Sequence, residues 1–410
     1  MSLEEMLFLL GGVLLLQVLV THFQLRRSLG AERPPWPLPS YPTVTVIRPV
    51  KGLDVGAREN IRAAFDTGYP GWVETIFVFD DETEPAITLV REAMADHRDG
   101  PPVRIIYSGS PPPGRTGKLN AMIAGLREAR GKLVAFVDSD VRPDQRTLAA
   151  LVETLVRSLG AGAAFAPAVS TEPPQTVGDA GYALLLNGLY GPAAAFAARR
   201  RGGDLPFIMG QFMVLRREAI ARIGGLESVE GQFVDDMYLG ARLAAAGYRN
   251  VIAPDPIAII QRGSSLREFW GTFGRWIVFS RTGLPGWSFK AISWFHGLVF
   301  WLGLLACMTA VAAGSWVAAL VAGLAPMAVA TSINRLHRDL GGGRIRWRHA
   351  WVSFALLLVA PVVLARVLLQ REVSWRGRTY RLDASARLEA GTQPSVSKDA
   401  PKGAAPASGT

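Results

Sequence analysis

Three long apolar blocks and a run of short alternating elements divide this chain. The blocks are Leu7 to Val20, Ile292 to Ile333 and Ala350 to Leu369. A helix crossing a bilayer needs about 20 mostly apolar residues. The first and third blocks therefore have the length for one crossing each, and the second for two. Between the first two blocks the pattern changes. Thr43–Arg48 alternates β-branched residues and reads as a buried strand, and a helix from about Ala57 to Asp66 ends at Gly68, near Pro70. A strand follows at Thr75–Phe79, a helical pattern from Pro85 to His97, a strand at Val103–Tyr107, a helix from Lys118 to Ala129 closed by Gly131, and a strand at Leu133–Val137. Strand–helix alternation of this kind predicts an α/β domain with a mainly parallel sheet. Further along, a helix runs from after Asp144 to about Leu159, strands at Ala163–Val169 and Phe207–Leu215, and a helix at Val234–Ala246. No internal repeat is visible.

The flanks of the blocks set an expected order of parts. Residues 1–27 form an N-terminal spanning helix, 28–42 a proline-rich, extended linker, and 43–285 the α/β domain. Residues 286–370 form spanning or interfacial helices, and 371–410 a basic juxtamembrane segment with a tail. From Asp383 the composition of Ala, Ser, Gly, Pro and Lys predicts disorder. The stretch Ala180–Ala198 carries few charges until Arg199-Arg200-Arg201 and suits either the membrane interface, apolar face down, or the core.

Charge refines the membrane reading. The formal net charge is +10, but much of it flanks the apolar blocks, as in Arg26, Arg27, Arg335, Arg338, Arg371, Arg376, Arg378 and Arg381. That distribution is one of topology and anionic-lipid contact, and no nucleic-acid motif accompanies it. Glu4 and Glu5 stand where a signal peptide carries basic residues, so the first block reads as a retained span. Arg26 and Arg27 then lie in the cytosol and the N-terminus outside. The single cysteine, Cys307, allows no intrachain disulfide, in keeping with a cytosolic catalytic region. One conflict follows. Three crossings after the domain would place residue 382 outside, whereas the Arg371–Arg381 cluster argues for inside. The expectation is that a piece near Phe289–Phe300 is interfacial or re-entrant, or that Ile292–Ile333 does not cross twice.

Acidic clusters stand at strand ends, where a parallel sheet delivers side chains to a cleft. Asp138-Ser139-Asp140 follows Leu133–Val137, and its alternate carboxylates suit magnesium or manganese held together with phosphate oxygens. A pair capping the next helix is the competing reading. Asp80-Asp81 ends another strand and could accept from a nucleotide, or simply sit in a solvated turn. Asp235-Asp236 opens a helix, where the dipole favours anions, and is also placed for a general base. Arg275-Trp276 offers a cation for phosphate and a flat stacking surface, or an anchor at the membrane interface.

These residues, taken together, resemble the membrane-bound family 2 and 21 glycosyltransferases, most closely the ceramide glucosyltransferase-like proteins, over about Pro42 to Leu382. Arg48-Pro49-Val50-Lys51-Gly52-Leu53-Asp54 is similar to the family's first strand and loop. Asp80-Asp81, Lys118-Leu119-Asn120, Asp138-Ser139-Asp140, Asp235-Asp236 and Arg275-Trp276 resemble its later motifs, and Trp375-Arg376-Gly377-Arg378-Thr379-Tyr380 its terminal element. One place departs: Thr272 stands where the family has Gln or Arg, and a Gln is typical of processive polysaccharide synthases. The resemblance implies a GT-A fold, a divalent metal (Mg²⁺ or Mn²⁺) on Asp138 and Asp140, and a nucleotide-sugar donor, a UDP-sugar being the expected one. It implies donor and substrate contacts from Pro49, Lys51, Asp80, Asp81, Lys118, Asn120, Arg275 and Trp276. Asp236 is implied as the base, with Asp235 beside it, in an inverting transfer to the hydroxyl of a membrane lipid such as ceramide. The expected setting is a bacterial inner membrane with the domain cytosolic, in contact with the bilayer and without nucleic acid. Oligomeric state is left open, as are a processive synthase and a non-catalytic scaffold as alternatives.

Overall fold

A computed structural model describes residues 1–29, 37–282, 287–389 and 395–396. Residues 30–36 of the expected linker, and 390–394 and 397–410 of the expected tail, lie outside the described residues. Strands β1 (Val44–Pro49), β2 (Val73–Phe79), β3 (Val103–Tyr107) and β4 (Leu133–Val137) come first. They are followed by β5 (Val141–Arg142), β6 (Ala161–Phe165), β7 (Ala168–Ser170), β8 (Asp204–Leu205), β9 (Phe212–Arg216), β10 (Arg249–Ile252) and β11 (Ile257–Ile259). Last are β12 (Glu372–Trp375), β13 (Arg378–Arg381) and β14 (Ser395–Val396). The main sheet runs β3-β2-β1-β4-β9-β6-β10-β8. Pairing is parallel from β3 to β4 and between β6 and β10, while β9 is antiparallel to both β4 and β6. Strands β2 and β4 are buried along their whole length, as strands covered by helices on both faces must be.

The order explains the cleft. Strand order reverses between the parallel neighbours β1 and β4, which opens a crevice at their carboxyl ends. Because β9 runs the opposite way, its first residues arrive at that same edge, and the Asp138 amide donates to the Gln211 carbonyl at 2.9 Å. The sequence placed the corresponding strand at Phe207–Leu215 without its direction. It also read one strand at Ala163–Val169, where the structure has two, β6 and β7, in different sheets.

The helices are α1 (Leu3–Leu29), α2 (Ala57–Arg62), α3 (Ala86–Asp96), α4 (Gly117–Glu128), α5 (Thr147–Arg157) and α6 (Val177–Ala183). A π turn at Leu184–Tyr190 continues α6 into α7 (Gly191–Arg199). Then come α8 (Arg217–Arg222), α9 (Asp235–Ala245), α10 (Leu266–Ile277), α11 (Trp287–Ala312), α12 (Trp316–Asp339) and α13 (Val352–Leu369). The stretch Ala180–Ala198 is a core element: Ala180, Leu184, Asn187, Ala193 and Ala198 are all buried. It packs against α12, whose His337 meets Asn187 Nδ2 at 3.1 Å.

Among the described residues four helices are long and apolar enough to cross a membrane, namely α1, α11 from Trp294, α12, and the segment Trp347–Leu369 that contains α13. Both ends of α13 are bonded to other elements. Near its start, Asn334 Nδ2 of α12 donates to Ser353 Oγ at 2.6 Å. At its end, Arg281 Nη1 donates to the carbonyls of Val367 at 3.1 Å and Gln370 at 2.5 Å. The second apolar block makes two full helices, α11 and α12.

The segment after α13 is not a loose tail. β12 and β13 form a hairpin at the cleft, and Leu382 and Ala386 are buried. The Leu388 amide donates to the Gly231 carbonyl at 2.9 Å. Residues 383–389, expected to be disordered, are therefore bonded to the loop that precedes α9. Their composition is polar, but the partner strand segment satisfies their backbone.

Candidate active site

A cavity of about 470 Å³ opens at the carboxyl edge of β1, β2 and β4, within the size range of small-ligand sites. Its wall includes Pro49, Lys51, Asp80, Lys118, Asp138, Asp140, Asp235, Asp236, Arg275 and Trp276, so ten of the twelve site residues predicted from sequence meet in one place. Asp81 and Asn120 stand apart. The Asp81 carboxylate is exposed and accepts from the Thr83 amide at 2.8 Å, closing its own turn. Asn120 is buried, and its Nδ2 donates to the carbonyls of Ser108 and Gly109 at 3.1 and 3.2 Å. It fixes the loop after β3 and leaves Asp80 to face the cavity.

Each strand end supplies one charge. Lys51, two residues past β1, pairs with Asp80 past β2 at 2.7 Å and also with Glu84. Asp138, past β4, pairs with Lys118 of α4 at 2.5 Å. Burial pulls the Lys118 pKa down, but Asp138, Asp236 and Asp235 outweigh it and the net shift is upward. Beneath the turn, Arg48 is buried and donates through Nη2 to the carbonyls of Asp138 and Val141 at 3.0 and 2.9 Å. Burial lowers its pKa to about 10, against the opposing pull of Asp140, Asp138 and Asp54.

Asp140 differs from its neighbour. Its side chain accepts no hydrogen bond and joins no ion pair among the described residues, and it faces the cavity. Burial, then the charge of Asp138, lifts its carboxyl to about 6. A carboxylate raised in this way gains by meeting a cation. Among the described residues no group of three or more His, Cys, Asp or Glu is set to hold a metal alone. Asp138 and Asp140 fit a cation that draws its other ligands from a bound diphosphate and water.

The carboxylates of the third pair play unequal parts. Asp235 is buried, accepts from Thr116 Oγ1 at 2.8 Å, and is lifted by burial to about 6. Asp236 is half-buried and turns to the cavity, its Oδ2 accepting from the Gly210 amide at 2.7 Å. An antiparallel β9 is what brings Gly210 there. On α10, Arg275 is depressed to about 10 by burial and then by the nearby Arg376. Its Nη2 lies 3.5 Å from Thr272 Oγ1, so the residue at the departing position supports Arg275 from the cavity wall. The Trp276 ring stands 5.1 Å from Tyr182 and 5.8 Å from Tyr190.

The terminal hairpin adds residues that the sequence flagged only as a motif. Arg376 and Gly377 form its two-residue loop, with φ of 50° and 74°. Positive φ at both positions is what a tight hairpin turn requires, and it costs a non-glycine residue roughly 1–2 kcal/mol. The turn aims Arg376 at Asp54 and sets its Nη2 3.4 Å from Ser139 Oγ. Arg378 pairs with Asp80 at 2.6 Å. Its guanidinium lies over Gly117, so a side chain there would have to displace it. Tyr380 Oη accepts from the Gly117 amide at 3.1 Å. The wall thus carries five cationic and six acidic side chains, a near balance that a diphosphate and a divalent cation together would preserve.

The fold and site can now be set beside known proteins. The mannosyltransferase PcManGT from Pyrobaculum calidifontis, solved with GDP-Man and Mn²⁺, shares the fold with a TM-score of 0.52 and 22% identity, covering 87% of this chain and 99% of that one. This is the GT-A glycosyltransferase fold. Ceramide glucosyltransferase 3 of Caenorhabditis elegans is 24% identical over 249 residues, 60% of this chain and 52% of that protein. An N-acetylglucosaminyltransferase of Bradyrhizobium diazoefficiens is 30% identical over 226 residues, 50% of this chain and 44% of that protein. The chain spans about half the length of these relatives. Glycosyl transferase family 21 has a sequence model that matches residues 7–388, nearly the whole chain, and the chain belongs to that family.

Proposed function

We propose that this protein transfers a sugar, with inversion, from a nucleotide-sugar such as a UDP-sugar to the hydroxyl of a membrane lipid such as ceramide. The observation that carries this reading is Asp236, a half-buried carboxylate fixed by the Gly210 amide in a cavity that also holds Asp138 and Asp140. Asp236 takes the proton from the acceptor hydroxyl, a role that needs a placed and accessible carboxylate. Asp80 and Lys51 face the nucleotide end. Arg275, Arg376 and Arg378 meet the diphosphate and stabilise its charge as it departs. Asp138 and Asp140 would hold Mg²⁺ or Mn²⁺, which when bound neutralises the leaving diphosphate as a Lewis acid. Lys118 holds Asp138 in place.

The acceptor side is apolar. α1, α11 and α12 cross the bilayer in this reading, and α13, bonded to α12 at its start and to Arg281 at its end, lies at the interface. Three crossings with the N-terminus outside put the domain and the Arg371–Arg381 segment together in the cytosol, where the basic residues favour them. In a bacterium the membrane would be the inner one. The test is direct. Purified protein is given labelled UDP-glucose, UDP-galactose or UDP-N-acetylglucosamine with ceramide, diacylglycerol or a hopanoid alcohol. Formation of a glycolipid together with nucleoside diphosphate supports the reading. Nucleotide-sugar turnover that never yields a glycolipid from any of these acceptors counts against it.

A further inference from the structure

A second cavity of about 530 Å³ lies behind the first, between α10, the π turn, α11 and α13. No charged side chain lines it among the described residues. It is several times larger than the ~150 Å³ apolar cavity that stays dry and binds benzene. The two cavities are divided by elements that face both. On α10, Thr272, Arg275 and Trp276 line the catalytic cavity, while Phe273 and Ile277 line the apolar one. On the π turn, Leu186 lines the first, Leu185 and Leu189 the second, and Tyr190 both. Outward, the helices around the apolar cavity expose Leu298 and Leu302 of α11 and Leu358 and Val362 of α13. Those are faces that suit hydrocarbon.

We propose that this cavity receives one aliphatic chain of the acceptor lipid, entering between α11 and α13, so that the hydroxyl emerges past Tyr190 and Trp276 toward Asp236. This rests on the lipid-acceptor reading above. Three observations point to a chain as the occupant. The cavity is apolar throughout, it abuts the catalytic cavity at Tyr190, and it sits between helices with apolar outer faces. A protein or polar ligand would leave its polar groups unpaired there. The chain leaves hydrocarbon as apolar as the cavity, so its length dependence comes from packing contacts, and the KM for an acceptor should fall as the chain lengthens until the cavity is filled.

The test uses full-length protein in nanodiscs and a ceramide whose acyl chain carries a diazirine, beside hexanoyl and palmitoyl ceramides as acceptors. Light should attach the probe to residues of α11 and α13 around Trp301 and Leu357, and unlabelled palmitoyl ceramide should compete. Ala360→Trp, which fills the cavity, should raise the KM for the palmitoyl acceptor at least tenfold and for the hexanoyl acceptor by less than threefold. UDP binding in the same sample reports folding. Leu357→Ala enlarges the cavity and should shift the optimum toward longer chains. Equal changes for both acceptors, labelling confined to other helices, or labelling competed equally by a phosphatidylcholine would each overturn the proposal. If no lipid alcohol accepts sugar while the donor is still hydrolysed, the acceptor reading itself fails. That outcome differs from the others because the wild-type protein shows it too.

Discussion

The Gly210 amide and the Asp236 carboxylate are matched so closely that neither tolerates a larger partner. A methyl group on Gly210 would lie 2.5 Å from Asp236 Cβ and 2.6 Å from its Oδ2. Gly210→Ala should therefore push the carboxylate out of line and lower kcat by about 10²-fold, the cost of a displacement near 1 Å. Nucleotide binding, measured by titration calorimetry, should change little. An alanine variant with wild-type kcat would remove Asp236 from the chemistry.

The two carboxylates at the start of α9 should separate under mutation. Asp236→Asn keeps size and the helix cap but removes the base, so single-turnover transfer should slow by about 10²–10⁴-fold. Asp235→Asn keeps an acceptor for Thr116 and should be milder. A larger loss at Asp235 would move the base by one residue and leave the rest of the mechanism standing, whereas small, equal effects would reduce the pair to a helix cap.

Asp140→Ala should abolish metal-dependent transfer while the protein still inserts and binds lipid. Near-normal turnover without added metal would show the assignment to be wrong. The pH dependence has a defined sign. Burial and the neighbouring Asp138 push this carboxyl up to about 6, above the ordinary carboxylate range, so the folded state holds the proton more tightly. Without metal, this group's contribution to stability is then fully present below about pH 4 and is lost as pH rises through 6. Asp140→Asn should accordingly raise the melting temperature in metal-free buffer more at pH 7.5 than at pH 5. In wild type, apparent Mn²⁺ affinity should weaken about tenfold per unit below pH 6, as protons compete for the carboxylate.

The hairpin arginines should act on the donor. Arg376→Ala removes the ion-pair partner of Asp54, and Arg378→Ala leaves Asp80 with Lys51 alone. Removing one member of a buried pair costs roughly 2–5 kcal/mol, only part of which falls on binding. We expect the donor KM to rise at least tenfold for either variant, with a smaller rise for the acceptor. Arg376→Lys should recover little, because a point charge cannot replace the planar fork. An effect confined to the acceptor would detach the hairpin from the diphosphate.

Membrane topology is testable at the last ordered turn. With Cys307 changed to Ser, a cysteine at Ser385 should react with an impermeant maleimide in intact cells only after permeabilisation. Labelling before permeabilisation would put residue 385 outside and require α13 to cross.

Much of this protein was legible locally. The apolar blocks, the strand–helix alternation and the carboxylates at strand ends depend on neighbouring residues alone, because side-chain period and strand termination are local properties. So the sequence determined the α/β domain, its apolar helices and the grouping of Asp80, Asp138, Asp140 and Asp236. Tertiary structure decided everything that needs a distant partner. Which of Asp80 and Asp81 faces the cavity follows from how β2 is seated between β1 and β3, since successive side chains point to opposite sides. Asp236 takes its orientation from Gly210, which only an antiparallel β9 can deliver. The arrival of Arg376 and Arg378 at Asp54 and Asp80 joins residues about 300 positions apart, and no pattern in either segment encodes that meeting. The fate of α13 is of the same kind. Its composition is that of a span, and its bonds to Arg281 and Asn334 are contacts across the fold that its hydropathy does not encode.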